Sequence, residues 1–226
     1  MPLVLHYHPL SSFCHKVLIA LYELELPFEP RLLNLGDAAA VDAYRKLWPT
    51  AKMPLLEDDG RVVPETSIII EHLARRVGGT QRLLPLDDAQ PSLDVRLWDR
   101  LFDHYVMHPM QAIVADRIRG EADRDPLAVS QAREKLVMAY GMIEQRLTDG
   151  RTWIAGEAFT MADCAAAPSL FYAETLVHFP ADRPKLKAYY DRLLERPSVA
   201  RTLEEATPFF QYYPYREALP VRFRNA

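Results

Sequence analysis

Two hydrophobic periods alternate along the first third of the chain. Leu3-Val4-Leu5-His6-Tyr7 is a short apolar run closed by Pro9, which predicts a strand. Phe13, Val17, Ala20, Leu21 and Leu24 then recur at steps of three and four, the spacing of an amphipathic helix. Ser11 and Ser12 precede it as candidate N-caps. Phe28 to Leu33 alternates as a second strand, and Pro30 points to a sheet edge. Ala38 to Leu47 is again helical in spacing. Two short strands around Asp59-Gly60 predict a hairpin. Pro64-Glu65-Thr66-Ser67 opens a helix carrying Ile68, Ile69, Ile70, Leu73 and Ala74, ended by Gly78-Gly79. The order is β-α-β-α-β-β-α, and a hairpin after the second helix requires a mixed sheet.

That order is the thioredoxin-like arrangement, assigned to residues 1–80. The stretch 80–91 lacks periodicity and holds Pro85 and Pro91; the linker is placed at 81–90. No strand pattern follows, so 91–226 is read as an all-α domain. Leu93 to Arg119 is one long helical pattern with a kink expected at Pro109. Leu127 to Leu147 is a second helix, ending near Gly150. Met161 to Val177, rich in small residues, is expected to be buried on most sides. Pro184 to Glu195 and Ser198 to Ala206 are shorter helices. The tail with Phe209, Phe210, Tyr212, Tyr213 and Tyr215 is expected to pack rather than leave its rings in water.

Composition changes this picture little. With 49% hydrophobic and 26% charged residues among 226, a folded globular chain is expected rather than a disordered one. A formal net charge of −4 gives no support to nucleic acid as a partner. Two cysteines, Cys14 and Cys164, rule out a disulfide-stapled scaffold. No leader segment and no membrane span are read, so a soluble cytoplasmic protein is expected.

Four segments carry candidate chemistry. Ser11 and Ser12 stand where strand 1 meets helix 1, and a helix N-terminus favours an anion, a thiolate included; taken alone, both serines read first as simple caps. Pro54, opening a strand after Lys52-Met53, reads by itself as an ordinary trans proline; a cis bond there would turn the Met53 backbone groups outward to pair with an extended peptide. Glu65 and Thr66 open helix 3, where the N–H groups and the Thr66 hydroxyl can hold a carboxylate and Glu65 an ammonium. Thr160-Met161-Ala162-Asp163 reads as a capping box with a structural role. His104 and His108 share a helical spacing, but no third ligand is near, so no metal is expected. Asp94, Arg96, Asp99, Arg100 and Asp103 read as a charged face turned to solvent or to a dimer cleft.

In combination these segments resemble the cytosolic glutathione S-transferase family over nearly the whole chain. The matching stretches are Ser11-Ser12-Phe13-Cys14-His15-Lys16-Val17, Lys52-Met53-Pro54-Leu55-Leu56, Glu65-Thr66-Ser67-Ile68-Ile69 and Phe159-Thr160-Met161-Ala162-Asp163. The resemblance is to the serine-type members (theta, zeta and bacterial-like). It implies the glutathione transferase fold, glutathione as co-substrate, a homodimer and a cis Pro54. It also implies that Ser11 faces the glutathione sulfur, with Ser12 as the second choice and Cys14 as the rival nucleophile. Met53, Lys52, Glu65 and Thr66 would hold the rest of the tripeptide. Leu10, Tyr105, His108, Met110 and Tyr172 are assigned to the pocket of a small hydrophobic electrophile. Activities weighed beside conjugation are isomerisation of a cis-dienoic acid, a Cys14-dependent thiol transfer or lyase reaction, and glutathione binding without catalysis.

Overall fold

The computed structural model describes residues 2–34, 36–78 and 82–224. Its sheet has four strands: β1 (Leu3–Tyr7), β2 (Phe28–Leu32), β3 (Leu55–Asp58) and β4 (Arg61–Val63), in the spatial order β2-β1-β3-β4. β1 runs parallel to β2 and antiparallel to β3, and β3 pairs antiparallel with β4, so the sheet is mixed. β2, with Pro30, lies at an edge, where a missing donor costs least. Asp59 and Gly60 both take positive φ in the hairpin turn, which the Asp-Gly pair accommodates.

Helices α1 (Ser12–Glu23), α2 (Ala38–Leu47) and α3 (Thr66–Val77) interleave with these strands. Leu5, Val17, Ala20, Leu21, Ile69, Ile70 and Leu73 are buried together in the main core. On the other face Tyr44 packs with Leu33 and Leu55. Gly78 follows α3 with φ 61°, while Gly79 and the start of the expected linker lie outside the described residues.

The rest is helical: α4 (Ala89–Leu101), α5 (His108–Ile118), α6 (Pro126–Arg146), α7 (Met161–Glu174), α8 (Pro184–Glu195) and α9 (Pro197–Ala206). At the expected kink near Pro109 the structure changes helix type. A π-helical turn, Phe102–Met107, joins α4 to α5, and Pro109 falls in the first turn of α5. A proline donates no backbone hydrogen bond, and the wider turn just ahead of it is one way a helix accommodates that break.

α7 is buried from Met161 through Ala173. Its N-terminus is tied by Asp163, whose carboxylate accepts from the Thr160 backbone at 2.8 Å, the Thr160 hydroxyl at 3.0 Å, the Ile154 backbone at 3.1 Å and the Tyr189 hydroxyl at 2.6 Å. The aromatic tail folds into short 3-10 turns that bury Phe210, Tyr213 and Phe223 against α7, while Tyr212 stays exposed. Arg183 starts α8 without a side-chain cap.

Candidate active site

Sheet register gathers the candidate segments at one end of the sheet. His6 pairs with Leu55 and Leu56 with Val63, so the C-terminal end of β1, the N-terminal end of β3 and the C-terminal end of β4 lie side by side. The loops that follow or precede those ends carry Ser11, Met53-Pro54 and Glu65-Thr66. Segments that stand far apart in sequence therefore share one rim.

Ser11 is the N-cap of α1. Its Oγ accepts from the Cys14 backbone N–H at 3.3 Å, and its hydroxyl also neighbours the Cys14 sulfur, on which it acts as a hydrogen-bond donor. Capping and chemistry are compatible here, because the cap uses a lone pair of the oxygen and the O–H remains a donor. Ser12 is different. It is buried at the first position of α1, and its Oγ accepts from Gln111 of α5 at 3.4 Å, so it joins the two halves of the molecule and does not duplicate Ser11.

Cys14 as a nucleophile is corrected by its surroundings. Its side chain is fully buried, and its sulfur accepts the His8 backbone N–H at 3.5 Å. Burial raises the thiol to about 12, with Ser11 and His8 opposing only in part, so at neutral pH it stays protonated and out of solvent.

The Met53–Pro54 peptide bond is cis. Tyr44 of α2, buried at 3%, donates its hydroxyl to the Lys52 carbonyl at 2.8 Å and so braces this loop from beneath. The Lys52 side chain is exposed. Glu65 has φ 67°, a left-handed conformation that a non-glycine residue rarely adopts without cause. It is exposed, Thr66 beside it is buried, and no side chain caps α3, so the helix N–H groups there are available to an anion.

The acidic face of α4 is also corrected. Asp99 is 0% exposed and Asp103 is 9% exposed; neither faces solvent. Both meet Lys16 of α1, itself 0% exposed, whose Nζ lies 2.7 Å from Asp99 and 2.9 Å from Asp103. Ser67 of α3 accepts from Lys16 at 3.0 Å and donates to Asp99 at 2.6 Å. Burial alone would lower the Lys16 pKa, but the two carboxylates outweigh it and the net shift is upward. Burial and the neighbouring Asp99 push Asp103 up against the pull of Lys16. Sequence patterning misses this cluster, adjacent to Thr66, because charges on helices read as solvated. The signal is present nonetheless: Lys16 lies four residues before Ala20, and Asp99 four after Val95, both on apolar stripes.

Of the five residues assigned to an electrophile pocket, Leu10 and Tyr172 are in contact, while Tyr105 and His108 are exposed. Met110 and Tyr172 are buried in the core, and the Tyr172 hydroxyl donates to the Leu10 carbonyl at 3.1 Å. Tyr105 lies over an apolar groove with Trp98, Phe102 and Met142, and His108 is exposed. The π turn rotates residues beyond it relative to a regular helix, which helical spacing alone does not anticipate. His104 is exposed as well, and among the described residues no group of three possible metal ligands occurs. A cleft of about 980 Å³ lies at the far end of α1 around Tyr22, Glu23 and Arg196, roughly 18 Å from Ser11 along the helix. Arg196 there is paired with Glu23 at 2.6 Å and Arg201 with Glu205 at 2.9 Å.

Comparison with known proteins supplies the family. Residues 5–81 match the model of the glutathione S-transferase N-terminal domain, and residues 119–192 match that of the C-terminal domain. A glutathione S-transferase-like protein of Fusarium sp., LUC7, is 32% identical over 160 residues, covering 69% of this chain and 72% of the relative. GstB, a glutathione S-transferase of Escherichia coli K12, is 26% identical over 197 residues, 85% of this chain and 93% of the relative. Among solved structures, a Methylobacillus flagellatus glutathione S-transferase with glutathione bound superposes with a TM-score of 0.79 at 26% identity, covering 88% of this chain and 98% of that one. With both halves matched and one relative near a third identical over most of its length, the chain belongs to the glutathione S-transferase family.

Proposed function

We propose that the protein is a serine-type glutathione transferase that binds glutathione at the Ser11 rim and presents its sulfur, as the thiolate, to a small hydrophobic electrophile. The carrying observation is the Ser11 hydroxyl, which caps α1 through its oxygen at the rim shared with the cis Met53–Pro54 bond and the start of α3. A free thiol has a pKa near 8.5, so little is ionised at neutral pH. A hydrogen-bond donor and the positive end of α1 stabilise the anion relative to the thiol. A shift of about two units corresponds to about 2.7 kcal/mol and makes the thiolate dominant at pH 7.

The rest of the rim matches the tripeptide by charge. The Met53 backbone would pair with the cysteinyl residue. The uncapped N-terminus of α3 and Thr66 would receive the γ-glutamyl carboxylate, and Glu65 its ammonium. Lys52 is exposed and free to reach the glycyl carboxylate. The buried Cys14 thiol removes the support for a Cys14-dependent reaction. Dimerisation is part of the reading: Ile68 of α3 and Leu93 and Leu97 of α4 are more than half exposed, and a second copy would cover them. No helix among the described residues is long and apolar enough to cross a membrane.

Ser11→Ala tests the proposal. The bound glutathione thiol should titrate about one to two units higher than in the wild type, and kcat/KM for conjugation should fall by about 10- to 100-fold. An unchanged thiol pKa would remove Ser11 from this role. Mass analysis of the product separates conjugation, which retains sulfur, from isomerisation, which does not.

A further inference from the structure

The loop that delivers Ser11 is held by two side chains that the capping motif does not explain. Its N–H groups are satisfied locally. Leu10 N donates to His8 Nδ1 at 3.2 Å, and Ser11 N donates to the His8 carbonyl at 3.0 Å. Its carbonyls are satisfied from outside. His15, at 1% exposure in the first turns of α1, donates from Nε2 to the Pro9 carbonyl at 2.5 Å. Tyr172, at 3% exposure in α7, donates its hydroxyl to the next carbonyl, Leu10, at 3.1 Å. The two donor rings also touch each other, with centroids 5.7 Å apart.

We propose that His15 and Tyr172 are positioning residues, a two-point clamp on consecutive carbonyls that sets where the Ser11 hydroxyl stands. The inference rests on Ser11 as the thiolate donor. One arm comes from the helix that Ser11 caps; the other comes from the helical half of the molecule, so the donor's position is referred to both halves at once. Tyr172 cannot follow the loop if the loop moves. It is hemmed in by Tyr213 at 5.2 Å and Phe210 at 6.4 Å from the C-terminal tail, and the Tyr213 hydroxyl is hydrogen-bonded to Thr175 at 2.8 Å. The aromatic tail thereby backs the arm that bears on Leu10.

A clamp of this kind acts on the transition from thiol to thiolate more than on holding the tripeptide, whose contacts lie on other loops. Tyr172→Phe deletes only the hydroxyl. It should lower kcat about 5- to 10-fold and raise the bound-thiol pKa by about half a unit or more, with the glutathione KM within about twofold of wild type. His15→Leu should behave alike, and His15→Gln, which keeps an N–H donor at this place, should recover part of the loss. Ser11→Ala is measured beside them. If it raises the thiol pKa and neither Tyr172→Phe nor His15→Leu does, while both lower the melting temperature, the two residues only stabilise the fold and the clamp is overturned. If Ser11→Ala also leaves the thiol pKa unchanged, the Ser11 reading itself falls, and the clamp with it.

Discussion

His15 shows how far one buried side chain can be taken. Burial holds its imidazole at about 4, below the ordinary 6.5, and its bond to Pro9 opposes that only in part. Between those two pH values the unfolded chain binds the additional proton. The stabilisation tied to neutral His15 is therefore complete above 6.5 and is lost as pH falls toward 4, about 3 kcal/mol in all. Denaturant unfolding of wild type and His15→Gln at pH 7.5 and near pH 4 (roughly the two ends of the window) should show a wild-type loss larger than the variant's by about that amount. The subtraction removes the carboxylates common to both proteins. At the same scale, sequence patterning places Ser11 as a cap and leaves the side that Cys14 faces open. A hydroxyl before a helix announces a cap by its position alone, but whether a residue three further on faces solvent or core depends on what packs over it.

Among elements, α7 is the most dependent on its start. Four hydrogen bonds converge on Asp163 from the cap residue, the preceding loop and α8. Burial raises the Asp163 carboxyl, with Tyr189 and Thr160 opposing, yet its partners leave it fully bonded. Asp163→Ala should lower stability by about 3 to 5 kcal/mol in chemical denaturation, because it strands buried donors, and Asp163→Asn should cost less. A loss near 1 kcal/mol would mean an ordinary surface cap. The capping box is legible because it is local: Thr160 and Asp163 are three residues apart. Its reach to Tyr189 is not, since nothing in the sequence ties residue 163 to residue 189. The π turn escapes for a similar reason. Pro109 marks a disturbed helix, but that the disturbance takes the form of a π turn depends on what packs over the buried Phe102 and Val106.

The molecule as a whole is joined around Lys16, where α1, α3 and α4 meet. One ammonium faces two carboxylates and a hydroxyl with almost no access to water. Such a cluster adds little net stability over apolar residues, yet removing a single member is costly because the others remain buried without a counter-charge. Lys16→Met should destabilise the protein by about 3 to 5 kcal/mol, and replacing Asp99 and Asp103 by Asn in the same chain should recover much of it. Thermal unfolding of the single and triple variants checks this; equal melting temperatures for the two would count against the cluster as an electrostatic unit. Through Ser67 the cluster also borders Thr66, so the start of α3 is tied to α1 and α4.

Strand and helix order, the hairpin, the caps and the rim motifs followed from the chain alone, because periodicity, turn chemistry and capping are interactions among residues within a few positions of each other. Which charged residues are interior, which serine faces outward, and that Tyr172 supports a loop far away in the chain were decided only by folding. Those properties depend on burial and on pairs distant in sequence, and both come into being when the sheet and the helical half pack together.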